Sequence, residues 1–189
     1  MGPCPINENG RRVPIMSKPI IAAASSTAGL AGRYLIFSLA KESYAIEVAR
    51  TREIIRLTEI TPIPQLPSFV RGVINLRSKI VPIVDLRAKF GMPAEAATER
   101  TSIVVVHVKG VGGAMVWIGF IVDDVDEVTN IGASEIEPVP DFGLQVDTGY
   151  MRAMAKTKKG VTTLLDVDHV VSGDVVARAA QLAAGEGAA

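Results

Sequence analysis

Apolar and polar residues along the chain alternate in short runs and show few helical stripes. Tyr34-Leu-Ile-Phe-Ser-Leu39 is an apolar and aromatic run, Ala40-Lys-Glu-Ser43 a polar turn, and Tyr44-Ala-Ile-Glu-Val48 alternates as a half-buried strand does. An apolar stretch continues through Ile54-Ile55 to Leu57, after which Pro62, Pro64 and Pro67 punctuate a connector. Phe69-Val-Arg-Gly-Val-Ile74 is short and reads as a helical turn. Ile80-Val-Pro-Ile-Val84 reads as a strand whose Pro82 points to an edge or a bulge. Asp85 is placed to cap a short helix through Phe90.

A second round begins at Ser102. Ile103 to Val108 is a strand, Lys109-Gly-Val-Gly-Gly113 a turn, and Met115 to Val122 a long buried strand, followed by Val125, Val128 and Ile131. Val161 to Leu165 is another strand, Asp166 a second capping residue, and Asp168 to Val171 a helical turn. Val171, Val175, Ala179 and Leu182 lie at helical spacing and predict a C-terminal helix despite Gly173. Thr61-Pro-Ile-Pro64 matches Glu137-Pro-Val-Pro140, Arg71 matches Arg152, and Ile83-Val-Asp85-Leu86 matches Leu164-Leu-Asp166-Val167. The basic stretches Arg77 to Lys79 and Lys156 to Lys159 also correspond, and the second round carries extra residues at Gly143 to Gly149. Duplicated small β units that share a core fit this pattern. The residues before Arg33 are rich in Gly, Pro, Ala and Ser, follow neither period, and read as a flexible tail over 1–32. Arg11-Arg12 faintly resembles a twin-arginine export signal, but Pro14, Lys18 and Pro19 interrupt the apolar stretch such a signal needs. The folded part spans 33–176, and 177–189 holds the end of the helix and a tail.

Composition narrows the function. Among 189 residues, 20 Lys and Arg balance 20 Asp and Glu, so the basic excess of a general nucleic-acid binder is missing. Apolar residues at 48% exclude a disordered chain, and with only 5% aromatics the core must come from aliphatic side chains. One cysteine, Cys4, excludes a disulfide framework within the chain, and two histidines leave little room for a His-rich metal site. No apolar run approaches the roughly 20 residues of a membrane span, so direct membrane insertion is not expected.

Chemistry-bearing patterns are sparse. His107 sits within an apolar strand and His169 close behind Asp166 and Asp168, so a core or edge role suits the first and local pairing the second. Asp123-Asp-Val-Asp-Glu127 is the densest acidic cluster, but Val125 and Val128 break the alternation of a calcium loop, which leaves a solvated strand end. Gly110-Val-Gly-Gly113 lacks the lysine and the following helix of a phosphate loop and reads as a hairpin turn.

Arg71-Gly-Val-Ile-Asn-Leu-Arg77 and Ile80-Val-Pro-Ile-Val-Asp85-Leu-Arg87 interleave apolar residues with three arginines, an asparagine and an aspartate. Periodicity alone makes this a strand with capped ends, Asp85 pairing an arginine. The segment also closely resembles the signature of the CheW family of bacterial chemotaxis coupling proteins. So do Tyr34-Leu-Ile-Phe with Tyr44-Ala-Ile-Glu, Ile118-Gly-Phe-Ile-Val-Asp123 with Val125 and Val128, and Glu135-Ile-Glu-Pro138. Ser78 stands where the family usually has glycine, and Asp124 where it often does. If position 78 needs a positive φ, its side chain carries strain of order 1 kcal/mol.

The resemblance implies a mainly β fold: two five-stranded SH3-like β-barrel subdomains sharing a core, with short helices and a C-terminal helix. It implies a non-catalytic adaptor, without cofactor or metal, that couples the cytoplasmic tip of chemoreceptors to the regulatory domain of the histidine kinase CheA. Such an adaptor works in the cytoplasm at membrane-associated receptor arrays. By similarity, Glu53, Asn75, Leu76 and Arg77 line or support the receptor face, and Val125 and Val128 add apolar contact. Arg77 stands out physically, because a long cation on an ordered loop reaches a carboxylate or a row of carbonyls. Within the molecule its partner would be Asp85 or Glu53. One alternative keeps the fold and serves a chemosensory system with another output, such as twitching motility. An alternative of a different class is a small enzyme using Asp123, Asp126 and His169. Only 13 residues follow Val176, too few for the receiver that CheV-like proteins carry.

Overall fold

The computed structural model describes residues 27, 29–141, 147–171, 173, 175–178 and 181. Most of the expected tail, with Cys4 and the Arg11-Arg12 stretch, falls outside them, as do Ala179, Leu182 and most of 143–149. Order starts earlier than Arg33, however: Leu30 is buried, its carbonyl accepting from the Tyr34 hydroxyl, and Gly32 opens the first strand. In chain order the elements are β1 (Gly32–Leu39), β2 (Glu42–Glu47), β3 (Thr51–Arg56), β4 (Val70–Leu76), β5 (Lys79–Asp85) and α1 (Leu86–Lys89). They continue with β6 (Ser102–Lys109), β7 (Met115–Val122), β8 (Asp124–Ile131), β9 (Ile136–Glu137), β10 (Met151–Thr157), β11 (Gly160–Leu165) and α2 (Val167–Val170). Residues 173, 175–178 and 181 are helical, as the spacing of Val171 and Val175 predicts. The protein is thus mainly β, and its strands form two sheets, ordered β8-β1-β2-β11-β10-β9 and β3-β6-β7-β5-β4. The second has the expected five strands; the first adds β9, a two-residue edge.

The internal repeat is real and goes down to register. Thr61 bridges Val73 in β4, and Glu137 pairs with Met154 in β10, each the fourth residue of its strand. The β4–β5 ladder slips between Val70 and Gly72, and the β10–β11 ladder slips between Met151 and Ala153. Asp85 N–H donates to the Phe69 carbonyl at 2.7 Å, and Asp166 N–H to that of Tyr150 at 2.9 Å. The two rounds are not separate sheets, however. Hairpin β1–β2 joins the six-stranded sheet through a parallel contact of β2 with β11, and hairpin β6–β7 joins the other through β7 and β5. Each sheet therefore consists of one round's leading hairpin and the other round's remaining strands.

Alternation along the strands divides the core in three. Leu35, Phe37 and Leu39 of β1 face a large cluster that also takes Val104, Val106 and Val108 of β6 and Val116, Ile118, Phe120 and Val122 of β7. Their neighbours turn the other way: Tyr34 and Ile36 into a cluster proper to the first sheet, Ile103 and Val105 into one proper to the second. Strands buried on both faces must be apolar throughout, which is why 34–39 and 103–108 read as continuous runs. Each fully buried Ile, Leu or Val contributes about 1.5–3 kcal/mol. Across the shared cluster, Phe90 at the end of α1 stacks between Tyr44 and Tyr150, its ring centroid 5.7 and 4.3 Å from theirs.

Two expectations need correction, and one strand was not foreseen. Residues 69–74 do not form a helical turn; 70–76 are strand β4, with Val70, Gly72 and Ile74 buried and Arg71 and Asn75 exposed. Period 2 wins because the run pairs along its length with β5. Gly72 also has φ 141°, and a Cβ there would lie 2.1 Å from the Thr61 carbonyl oxygen. Pro82 lies neither on an edge nor at a bulge, since β5 runs between β4 and β7 and Pro82 pairs in register with Val73. Val73 turns its N–H and carbonyl outward to Thr61, so the Pro82 nitrogen faces β7, where pairing starts only at Ile83. Its missing N–H removes no ladder bond. Finally, 151–157 form strand β10, for which the alternation gave no sign.

Candidate functional site

Four of the six residues singled out by resemblance gather at one end of the five-stranded sheet. Arg77 and Ser78, with φ 52° and 62°, make the two-residue turn that closes Leu76 on Lys79. Two consecutive positive φ values define the hairpin turn that suits strand twist. Ser78 thus meets the condition that costs a non-glycine residue of order 1 kcal/mol. From this turn Arg77, 72% exposed at its side chain, donates from Nη2 to Glu53 Oε2 at 3.0 Å. Of the two partners considered for Arg77, Glu53 is the one found. Asp85 instead caps α1, accepting from Ala88 N–H at 3.2 Å.

This pair reports on sheet shape. Glu53 lies on edge strand β3, while Arg77 follows the opposite edge strand, β4. In a flat five-stranded sheet those edges would stand about 19 Å apart; here the sheet curls until one side-chain pair spans them. Glu53 is opposite Val105, so its carboxylate sits at the mouth of the sheet's own apolar interior. Its Oε1 is buried and has no hydrogen-bond partner among the described residues, which costs about 1–3 kcal/mol. Leu76 packs on that interior, and Asn75, one residue earlier, is exposed on the other face.

Sequence reasoning missed the rest of this mouth. Trp117 of β7 is half-buried over the same interior, with the Arg52 guanidinium carbon 5.3 Å and Lys79 Nζ 4.3 Å from its ring centroid. His107, its cross-strand partner on β6, lies 5.9 Å away between ring centroids. Burial, then the charges of Arg52, Arg50 and Lys79, hold the His107 pKa below its ordinary value, so the imidazole is neutral at neutral pH. These four residues come from four strands, and only the pairing register brings them together.

Val125 and Val128 lie elsewhere, on β8 at an edge of the six-stranded sheet. Val125 packs on the shared core, and Val128 is 46% exposed. Among the described residues no hydrogen bond or ion pair joins them to the Arg77 end.

The acidic cluster is more than a solvated strand end. Asp123 takes two bonds from Arg87, one from Nε at 2.7 Å, and a third from Ala40 N–H at 2.8 Å. Arg87 also donates to Glu95 at 2.5 Å. Burial pushes the Asp123 carboxyl up, but the Arg87 and Ala40 hydrogen bonds and the Arg87 charge outweigh it and hold the pKa below the usual carboxylate value. Asp126 accepts from Ser38 and Lys159, Asp124 pairs with Arg100, and His169 pairs with Asp166 at 3.0 Å. Asp123, Asp126 and His169, the residues of the enzymatic alternative, thus have separate partners. Among the described residues no group of His, Cys, Asp and Glu is arranged to hold a metal ion.

No helix among the described residues is long and apolar enough to cross a membrane. The family model described as the CheW-like domain matches residues 33–175. A chemotaxis protein CheW of Klebsiella aerogenes is 33% identical over 159 residues, covering 83% of this chain and 93% of its own length. One of Rhizobium meliloti is also 33% identical, covering 74% and 87%. The crystal structure of the scaffolding protein TtCheW from Thermoanaerobacter tengcongensis superposes with a TM-score of 0.66 at 32% identity, over 76% of this chain and 95% of that one. The duplicated strands, the two sheets and these likenesses agree, and the chain belongs to the CheW-like domain family.

Proposed function

We propose that this protein is a non-catalytic chemotaxis adaptor, coupling the cytoplasmic tip of chemoreceptors to the regulatory domain of the histidine kinase CheA. The observation that carries the reading is the Glu53–Arg77 pair, which joins the Arg71–Arg87 motif to the opposite edge of a curled sheet and keeps an exposed arginine in a fixed place. The names of the relatives support it. Receptor helices pack against the end of the five-stranded sheet, where Glu53, Asn75, Leu76 and Arg77 line or support the contact. Val125 and Val128 add apolar area from the edge of the other sheet. Signal passes as differential affinity: a change in receptor helix packing alters how tightly the adaptor and its kinase are held. The protein works in the cytoplasm, at receptor arrays on the membrane.

The test is titration of the purified chain against a CheA regulatory domain and, separately, a receptor signalling-tip fragment. Both should bind. Arg77→Ala should weaken the receptor complex about tenfold, or about 1.4 kcal/mol, leave kinase binding unchanged, and cost about 1 kcal/mol of folding stability, because it leaves the mostly buried Glu53 carboxylate without its cation. Failure of the wild-type chain to bind either partner would overturn the reading.

A further inference from the structure

Arg52 and Lys79 are set apart among the described cations by sharing one aromatic ring. Arg50, Arg77, Arg87, Arg100, Arg152, Lys156 and Lys159 each have a carboxylate within ion-pair distance. Arg52 and Lys79 have none among the described residues, and both lie on the ring of Trp117, the chain's only tryptophan. Both are exposed, while Trp117 and His107 beneath them are half-buried. An ammonium and a guanidinium laid on an indole face are attracted to it. Their long side chains are then already ordered, which lowers the entropy lost when a ligand arrives. Arg77, paired with Glu53, adds a third cation at the same mouth. The surface is therefore electropositive, apolar at its centre and unsatisfied in charge, although the whole chain is neutral.

We infer that the Trp117 plate with Arg52 and Lys79 is a preformed seat for paired carboxylates on a helical segment of the partner protein. The inference rests on the receptor reading above and gives the chemistry of that contact. The segment would present acidic residues one turn apart to the two cations and an apolar residue to the indole, the spacing that puts side chains on one helix face. Charge complementarity of this kind acts on the rate and selectivity of encounter and is weakened by salt.

The experiment titrates a receptor signalling-tip fragment into the full chain at low and high salt, following Trp117 emission and, in parallel, calorimetry. Its variants are Arg52→Glu/Lys79→Glu and the charge-conserving Arg52→Lys, each checked for an unchanged thermal unfolding curve. The inference expects tighter binding at low salt, a change in Trp117 emission, a loss of about tenfold in the double charge reversal with a flattened salt dependence, and near-wild-type binding by Arg52→Lys. Neutralising the fragment's tip carboxylates to amides should reproduce the loss on the wild-type chain. If the double reversal binds as the wild type does while Arg77→Ala does not, the acidic seat is wrong and the coupling reading stands. If the fragment fails to bind the wild-type chain, both fall.

Discussion

Two ion pairs occupy corresponding places in the two rounds, and their signs are exchanged. In the first, Arg87 of α1 reaches Asp123, the residue before β8. In the second, Asp168 of α2 pairs with Arg50, the residue before β3. Each fastens the short helix that ends one sheet to an edge strand of the other. Each carboxylate also takes a backbone N–H, Ala40 at 2.8 Å for Asp123 and Lys109 at 2.7 Å for Asp168. In both pairs the acid is the member that also takes a backbone N–H. Duplication thus preserved the fastening and its geometry but left the direction of charge free.

The comparison is sharpened most by removing one cation from each pair. Arg87→Ala should cost about 2 kcal/mol, because it frees a half-buried carboxylate from two bonds and releases Glu95 as well. Arg50→Ala should cost about 1 kcal/mol, since Asp168 loses one bond and keeps Lys109 N–H. Urea denaturation of both variants measures this, and equal costs would deny that the first pair is the stronger. A smaller residual effect is expected on exchanging the partners. Arg87→Asp/Asp123→Arg restores opposite charges but leaves Ala40 N–H without its acceptor, and should remain about 1 kcal/mol below wild type. Full recovery would show that the backbone donor does not set the sign.

The smallest effect is on pH. The Asp123 carboxyl is harder to protonate in the folded chain than in the unfolded one. Its stabilising share is therefore complete above the unfolded-state value near 4 and is lost as pH falls through the lower folded-state value. Denaturation midpoints of the wild type should drop more steeply below about pH 4 than those of Asp123→Asn. Parallel acid limbs in the two proteins would contradict it.

Much of the architecture was legible because burial on two faces leaves continuous apolar runs, as in β1, β6 and β7, and because repeated motifs such as the Asp85 and Asp166 caps mark equivalent points. Strand β10 was illegible since its inward residues are Ala153 and Ala155, too small to stand out as an apolar alternation. Residues 69–74 and Pro82 misled for the opposite reason. Their local propensities are clear, but neighbours decide: a carbonyl against Gly72, and a ladder that begins one residue beyond the proline. Glu53 and Arg77 were visible through resemblance and through the one-step inference that Arg77 needs a carboxylate. The Trp117 mouth was not, because Arg52, Lys79, His107 and Trp117 are distant in sequence and meet only through strand register.

The crossed hairpins bear on how such a molecule can be assembled or dissected. Severing the polypeptide between α1 and β6 would produce two fragments, each holding a ribbon whose place is in its counterpart's sheet. Neither fragment has all the strands of a finished layer, so order in one requires the presence of the other.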